Sequence, residues 1–128
     1  MSDTQPKVLF VDDDLILHDV IKMMLMSRFQ IVSAFTVEHA RRHLLPPLPD
    51  FVICDLMMPI ENGIELMRYV RENLNEPDLP IVIITATVDH DLVRGAHLYN
   101  PVAVLYKPFT RDQLFHAVEQ ALNHRKNQ

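Results

Sequence analysis

Five short apolar runs recur along this chain, and between them the hydrophobic positions change to helical spacing. The runs are Lys7 to Val11, Gln30 to Ala34, Phe51 to Asp55, Ile81 to Ile84 and Val102 to Tyr106. They barely alternate with polar residues, the pattern of strands covered on both faces, as in parallel sheets. The third run organises the rest: four strand-forming residues lead straight into Asp55, and Pro59 then ends the regular structure. A carboxylate at such a place calls for solvent or a cation, because burying it unpaired is costly.

Asp14 caps a predicted helix from Leu15 to about Arg28, with Leu17, Val20, Ile21 and Met24 on its inner face and its methionines as core filler. Thr36 caps a second helix, to about Leu45, which turns Val37, Ala40 and Leu44 inward and carries Glu38 in the first turn. Residues 45–49 hold three prolines and form a stiff connector. Asn62-Gly63 supplies the positive φ angles of a tight turn, and a helix runs from Ile64 to about Asn73. The helix from Asp89 to about Leu98 has a thin apolar face and contains Gly95, which costs roughly 1 kcal/mol against alanine, so mobility is expected there. Asn100-Pro101 turns the chain into the fifth strand. Thr110 and Gln113 form a capping box for the last helix, whose stripe is Leu114, Val118, Ala121 and Leu122.

Strands alternating with helices imply an α/β sandwich around a parallel sheet, because right-handed crossovers place helices on both faces. Sites in such sheets lie beyond the carboxyl ends of the strands. Asp12 and Asp13 follow the first strand, Asp55 ends the third, Thr85 the fourth, and Lys107 follows the fifth.

Length and composition narrow the reading to one domain, residues 1–128, with ordinary globular content: 48% hydrophobic and 23% charged. The net charge of −5 and the lack of clustered Lys and Arg argue against direct nucleic-acid binding; Arg125-Lys126 reads as a solvated helix end. Cys54, the single cysteine, has no partner for a disulfide and reads as an inert core residue in a reducing cytosol. No apolar run approaches the roughly 18 residues of a membrane span, and the N-terminus lacks the regions of a signal peptide. A cytoplasmic protein is expected.

Three converging carboxylates repel one another, which raises their pKa values unless a cation sits among them. An all-oxygen donor set favours Mg²⁺, which commonly joins carboxylates to a phosphate oxygen. With a facing lysine and a hydroxyl donor, the set suits phosphoryl transfer to an aspartate.

The pieces Val11-Asp12-Asp13, Asp55 with Met58-Pro59, Thr85-Ala86 and Lys107-Pro108-Phe109, in this order and spacing, make the chain resemble the receiver domains of two-component response regulators from Lys7 to about Asn123. The resemblance implies a doubly wound, flavodoxin-like (βα)5 fold with strand order 2-1-3-4-5. It implies that Asp55 accepts the phosphoryl group from a phosphohistidine on a sensor histidine kinase or histidine phosphotransfer protein. Asp12, Asp13, Asp55 and the Met57 carbonyl would hold Mg²⁺, Lys107 would pair with phosphoryl oxygens, and Thr85 and the Ala86 amide would complete their binding. The Lys107-Pro108 bond is expected to be cis. So read, the domain catalyses its own phosphorylation and dephosphorylation, signals to an effector or output domain through its fourth helix, fifth strand and fifth helix, and admits a phosphorylation-dependent homodimer.

Val104 stands where the family often carries an aromatic switch residue, and Tyr106 lies two residues on, on the same strand face. Met57 and Thr87 flank the path of the hydrolytic water in this family, and an apolar Met57 would shield it. Three other readings compete. A receiver-like interaction module that takes no phosphate is opposed by the intact acidic set. An Asp-x-Asp-x-Thr phosphatase loop finds Ile16 where its threonine belongs, and a flavodoxin-type cofactor protein lacks its phosphate-cradling loop. The seven histidines fall on predicted helices and read as solvated.

Overall fold

The computed structural model describes residues 5–126; the N-terminal residues 1–4, read above for targeting signals, lie outside them. The five apolar runs form β1 (Lys7–Val11), β2 (Gln30–Ala34), β3 (Phe51–Asp55), β4 (Ile81–Thr85) and β5 (Ala103–Tyr106). All pair in parallel, in the order β2-β1-β3-β4-β5. The sheet is the flavodoxin-like, doubly wound one expected. The chain reverses direction of travel between β2 and β3, which puts the crevice at the carboxyl ends of β1 and β3.

Successive residues of each strand face opposite sides, so the sheet feeds two cores. Leu9, Val11, Val52, Cys54, Ile81 and Ile83 pack with α2 (Val37–Arg42), α3 (Gly63–Arg68) and α4 (His90–His97). Val8, Phe10, Phe51, Ile53, Val82 and Ile84 pack with α1 (Leu15–Leu25) and α5 (Arg111–Lys126). A strand buried on both sides needs apolar side chains at every position, hence the unbroken runs in the sequence.

Several local expectations are corrected. The first helix stops at Leu25 rather than near Arg28, and its buried residues are His18, Ile21 and Leu25; Leu17, Val20 and Met24 are only partly buried. Met23 and Met26 are exposed, so they are not core filler. In the segment Leu15–Leu25 only Asp19 and Lys22 mark the exposed side, and the apolar Leu15, Ile16 and Met23 share it, so the buried stripe is hard to read from the pattern.

The second helix ends at Arg42, while Val37, Ala40 and Leu44 are buried as expected. The third gives way after Arg68 to a π-helical turn, Tyr69–Asn73. The caps at Asp14 and Thr36 form as read, and Asp89, expected as the first residue of the fourth helix, is instead its cap. The Thr110–Gln113 capping box also forms as read. Gly95 is close-packed: a Cβ there would meet Ile64 Cδ1 at 3.2 Å. Both Lys107-Pro108 and Pro46-Pro47 are cis. Arg125 is exposed, as a solvated helix end should be, and also pairs with Asp50 at 3.2 Å.

Candidate functional site

Sheet register alone assembles the acidic residues. Val11 pairs with Cys54 and Asp55 with Ile84, so Asp12, one step beyond Val11, comes level with Asp55 on the neighbouring strand. Thr85 pairs with Tyr106 one step further along, and Lys107 follows. Carboxylate oxygens of Asp12, Asp13 and Asp55 lie within 4.8 Å of one another, with Asp12 and Asp55 buried and Asp13 exposed. The three offer hard oxygen donors at one point, the donor set a small divalent cation takes, and their mutual repulsion is what such a cation relieves.

Asp12 is fixed by every polar group it has. Its amide donates to the Ala34 carbonyl at 3.1 Å. Its carboxylate accepts from the Asp14 amide at 2.9 Å and from Lys107 Nζ at 3.0 Å. Its carbonyl accepts from His18 Nε2 at 2.7 Å. Asp55 is held more loosely, with Lys107 Nζ at 3.4 Å from one oxygen and the Met57 amide at 3.4 Å from the other.

Burial and the neighbouring Asp12 charge push the Asp55 carboxyl up to about 6, against the pull of Lys107 and the Met57 amide. Burial works to lower the Lys107 pKa, but its hydrogen bond to Asp12 and the charges of Asp55 and Asp12 leave it raised overall. The ammonium therefore stays charged while Asp55 ionises near neutrality: a nucleophilic carboxylate beside a fixed point charge.

The hydroxyl of Thr85 is buried and accepts from the Thr87 amide at 3.0 Å. Ala86 is exposed beside it, and Met57 stands half exposed. Among the expected site residues, the structure brings Asp12, Asp13, Asp55 and Lys107 into one cluster and places Thr85 at the adjacent strand end.

The loop after β3 departs from expectation. Positive φ falls not at Asn62-Gly63 but at Ile60 (71°), where the Glu61 amide closes a three-residue turn onto the Pro59 carbonyl at 2.8 Å. This conformation is strained for a β-branched residue. Arg41 of α2 grips the loop through a bidentate pair with Glu61, at 2.8 and 2.6 Å, and lies over the Tyr69 ring at 5.4 Å. Asn62 caps α3 with a full capping box. Gly63 is required for close approach: a Cβ would stand 2.6 Å from the Asp55 carbonyl oxygen.

His18 corrects the view that every histidine is solvated. It is 2% exposed, between the rings of Phe10 (4.6 Å) and Phe35 (4.2 Å). Its spacing from Ile21 and Leu25, three and seven residues, was the signal in the sequence.

With the geometry in place, comparison with known proteins decides the family. Residues 8–119 match the model of the response regulator receiver domain. The chain belongs to that family. This receiver is 30% identical over 123 residues to the hydrogenase transcriptional regulatory protein HoxA of Cupriavidus necator, covering 95% of the chain and 25% of HoxA. It is 31% identical over 121 residues to the DNA-binding transcriptional regulator NtrC of Proteus hauseri, covering 92% and 25%. The receiver thus spans about a quarter of these curated relatives. Among solved structures, a response regulator receiver domain protein from Clostridium thermocellum superposes with a TM-score of 0.85 at 26% identity, covering 94% of this chain and 97% of that one.

Proposed function

We propose that this receiver accepts a phosphoryl group on Asp55 from the phosphohistidine of a sensor histidine kinase or a histidine phosphotransfer protein, and that the phosphorylated domain signals to an effector or output domain. One observation carries the reading: the buried Asp55 carboxylate lies against Lys107 and level with Asp12 at the mouth of the sheet. In the transfer, an Asp55 oxygen bonds to phosphorus as the phosphorus–nitrogen bond breaks and the imidazole leaves. Lys107 meets the charge that arrives on the phosphoryl oxygens. Thr85 exchanges its present bond to the Thr87 amide for a phosphoryl oxygen, beside the Ala86 amide.

Asp12, Asp13, Asp55 and the Met57 carbonyl would hold Mg²⁺, which when bound offsets carboxylate repulsion and draws negative phosphoryl oxygens to the site. The rim fits a protein donor. Leu15 and Ile16 on α1, Ile60 after β3 and Val88 after β4 are all well exposed, an apolar fringe around a charged centre.

We place signalling on the face made by α4, β5 and α5, where a two-state packing is biased by phosphate at Asp55. The same face serves a phosphorylation-dependent homodimer. The setting we propose is cytoplasmic, consistent with there being no helix among the described residues long and apolar enough to cross a membrane. The net charge of −5 gives this domain no footprint for nucleic acid. Incubation with a phosphorylated histidine phosphotransfer protein tests the donor: label should pass to this chain and vanish with Asp55→Asn. Label retained on the donor in both cases contradicts the reading.

A further inference from the structure

We propose that His18 is a positioning residue for the acidic pair Asp12 and Asp13, acting through the Asp12 backbone carbonyl. The proposal rests on the reading of those aspartates as Mg²⁺ ligands. A carbonyl can only accept, so the 2.7 Å contact fixes the hydrogen on His18 Nε2 and makes His18 the donor. The other ring nitrogen, Nδ1, has no hydrogen-bond partner among the described residues although it is buried. The aromatic slot formed by Phe10 and Phe35 would take an apolar side chain more readily than this ring. A histidine here makes sense if the Nε2 bond matters more than the orphaned nitrogen.

What that bond does follows from peptide geometry. The Asp12 carbonyl and the Asp13 amide share one rigid plane, so whatever holds the carbonyl sets the direction in which Asp13 leaves the strand. Asp13 is exposed and has no other constraint of this kind among the described residues, whereas the Asp12 carboxylate is already fixed by the Asp14 amide and Lys107. His18 therefore orients the outer carboxylate toward the point where the three converge. Groups that orient metal ligands in this way typically contribute 10–100-fold in affinity.

The test compares three replacements. His18→Gln can place an amide N–H where Nε2 stood. His18→Asn reaches only the Nδ1 position, and His18→Leu fills the slot with no donor. Mg²⁺ affinity is read without any phosphodonor from tyrosine fluorescence, since the chain has no tryptophan and half-exposed Tyr106 adjoins Lys107. Urea unfolding is read in parallel.

His18→Leu and His18→Asn should weaken Mg²⁺ binding by about tenfold or more, while His18→Gln stays near the parent. Should His18→Leu fail to fold, the Asn and Gln variants carry the same comparison. A parent that binds Mg²⁺ while Leu or Asn variants bind equally well overturns the proposal alone, as does a Gln variant as weak as Asn. A parent that does not bind Mg²⁺ overturns the metal reading and this proposal with it.

Discussion

Gly63 lies against the backbone of Asp55 so closely that a methyl group on it would stand 2.6 Å from the Asp55 carbonyl oxygen and 3.0 Å from the Leu56 Cα. Both neighbours are backbone, at the last residue of β3 and the one after it, and neither can rotate away. Gly63→Ala should therefore destabilise the fold by about 1–3 kcal/mol, the usual cost of overpacking. Urea unfolding measures this, and an unchanged midpoint would mean that the loop after β3 yields freely.

The Asp55 carboxyl, raised to about 6 by burial and by Asp12, makes stability depend on pH in a definite direction. Between its unfolded value near 4 and its folded value the native state holds the proton more tightly, so stability falls as pH rises through this window. Above it the buried charge is fully present. Asp55→Asn removes the charge. In metal-free buffer it should stabilise the domain at pH 7.5 by on the order of 2 kcal/mol, with the gain shrinking toward pH 4. Thermal unfolding of both proteins across this range checks the sign; a gain that grows on acidification contradicts it.

Arg71 sits in the π-helical turn, and its guanidinium donates to the carbonyls of Leu79 (2.7 Å), Tyr99 (2.9 Å), Glu76 (2.9 Å) and Asn100 (3.2 Å). Burial lowers its pKa, although Asp78 pulls the other way. The side chain ties the end of the third helix to the entries of β4 and β5, at the pole of the sheet opposite the site. Arg71→Ala should cost about 2–3 kcal/mol by leaving carbonyls unsatisfied. Arg71→Lys should recover only part, since one ammonium cannot reproduce the planar fork. Denaturation midpoints measure both, with label uptake at Asp55 expected to persist in the folded protein.

Met57 stands two residues beyond the acceptor, with its amide 3.4 Å from an Asp55 oxygen and its side chain half exposed. An apolar group beside the phosphoryl position hinders water, and an amide side chain can orient it. Met57→Asn should shorten the lifetime of the phosphorylated form. Decay followed after removal of the donor gives the answer, and equal lifetimes would remove Met57 from hydrolysis.

The strands were legible because a doubly covered sheet leaves no room for polar residues, so each run of apolar side chains carried its own boundary. The site followed, since parallel strands place their carboxyl ends together and Asp12, Asp55 and Lys107 each sit at one. What stayed hidden depends on contacts between distant segments. The inner face of α1 was obscured by Leu15, Ile16, Met23 and Met26, which are apolar yet exposed. Gly63 gave the same letter for a turn as for close approach to Asp55. The strained turn at Ile60 is held by Arg41, twenty residues before its partner Glu61, and no local spacing announces such a pair.

The central claim is that Asp55 becomes a phosphoaspartate. The measurement that meets it most directly is labelling of the purified chain by a small acyl phosphate, with and without Mg²⁺, followed by peptide mapping of the modified residue. We expect Mg²⁺-dependent label on Asp55, absent after chelation and in Asp55→Asn. Label on another residue, uptake indifferent to chelation, or none in the folded protein with Mg²⁺ would contradict the account.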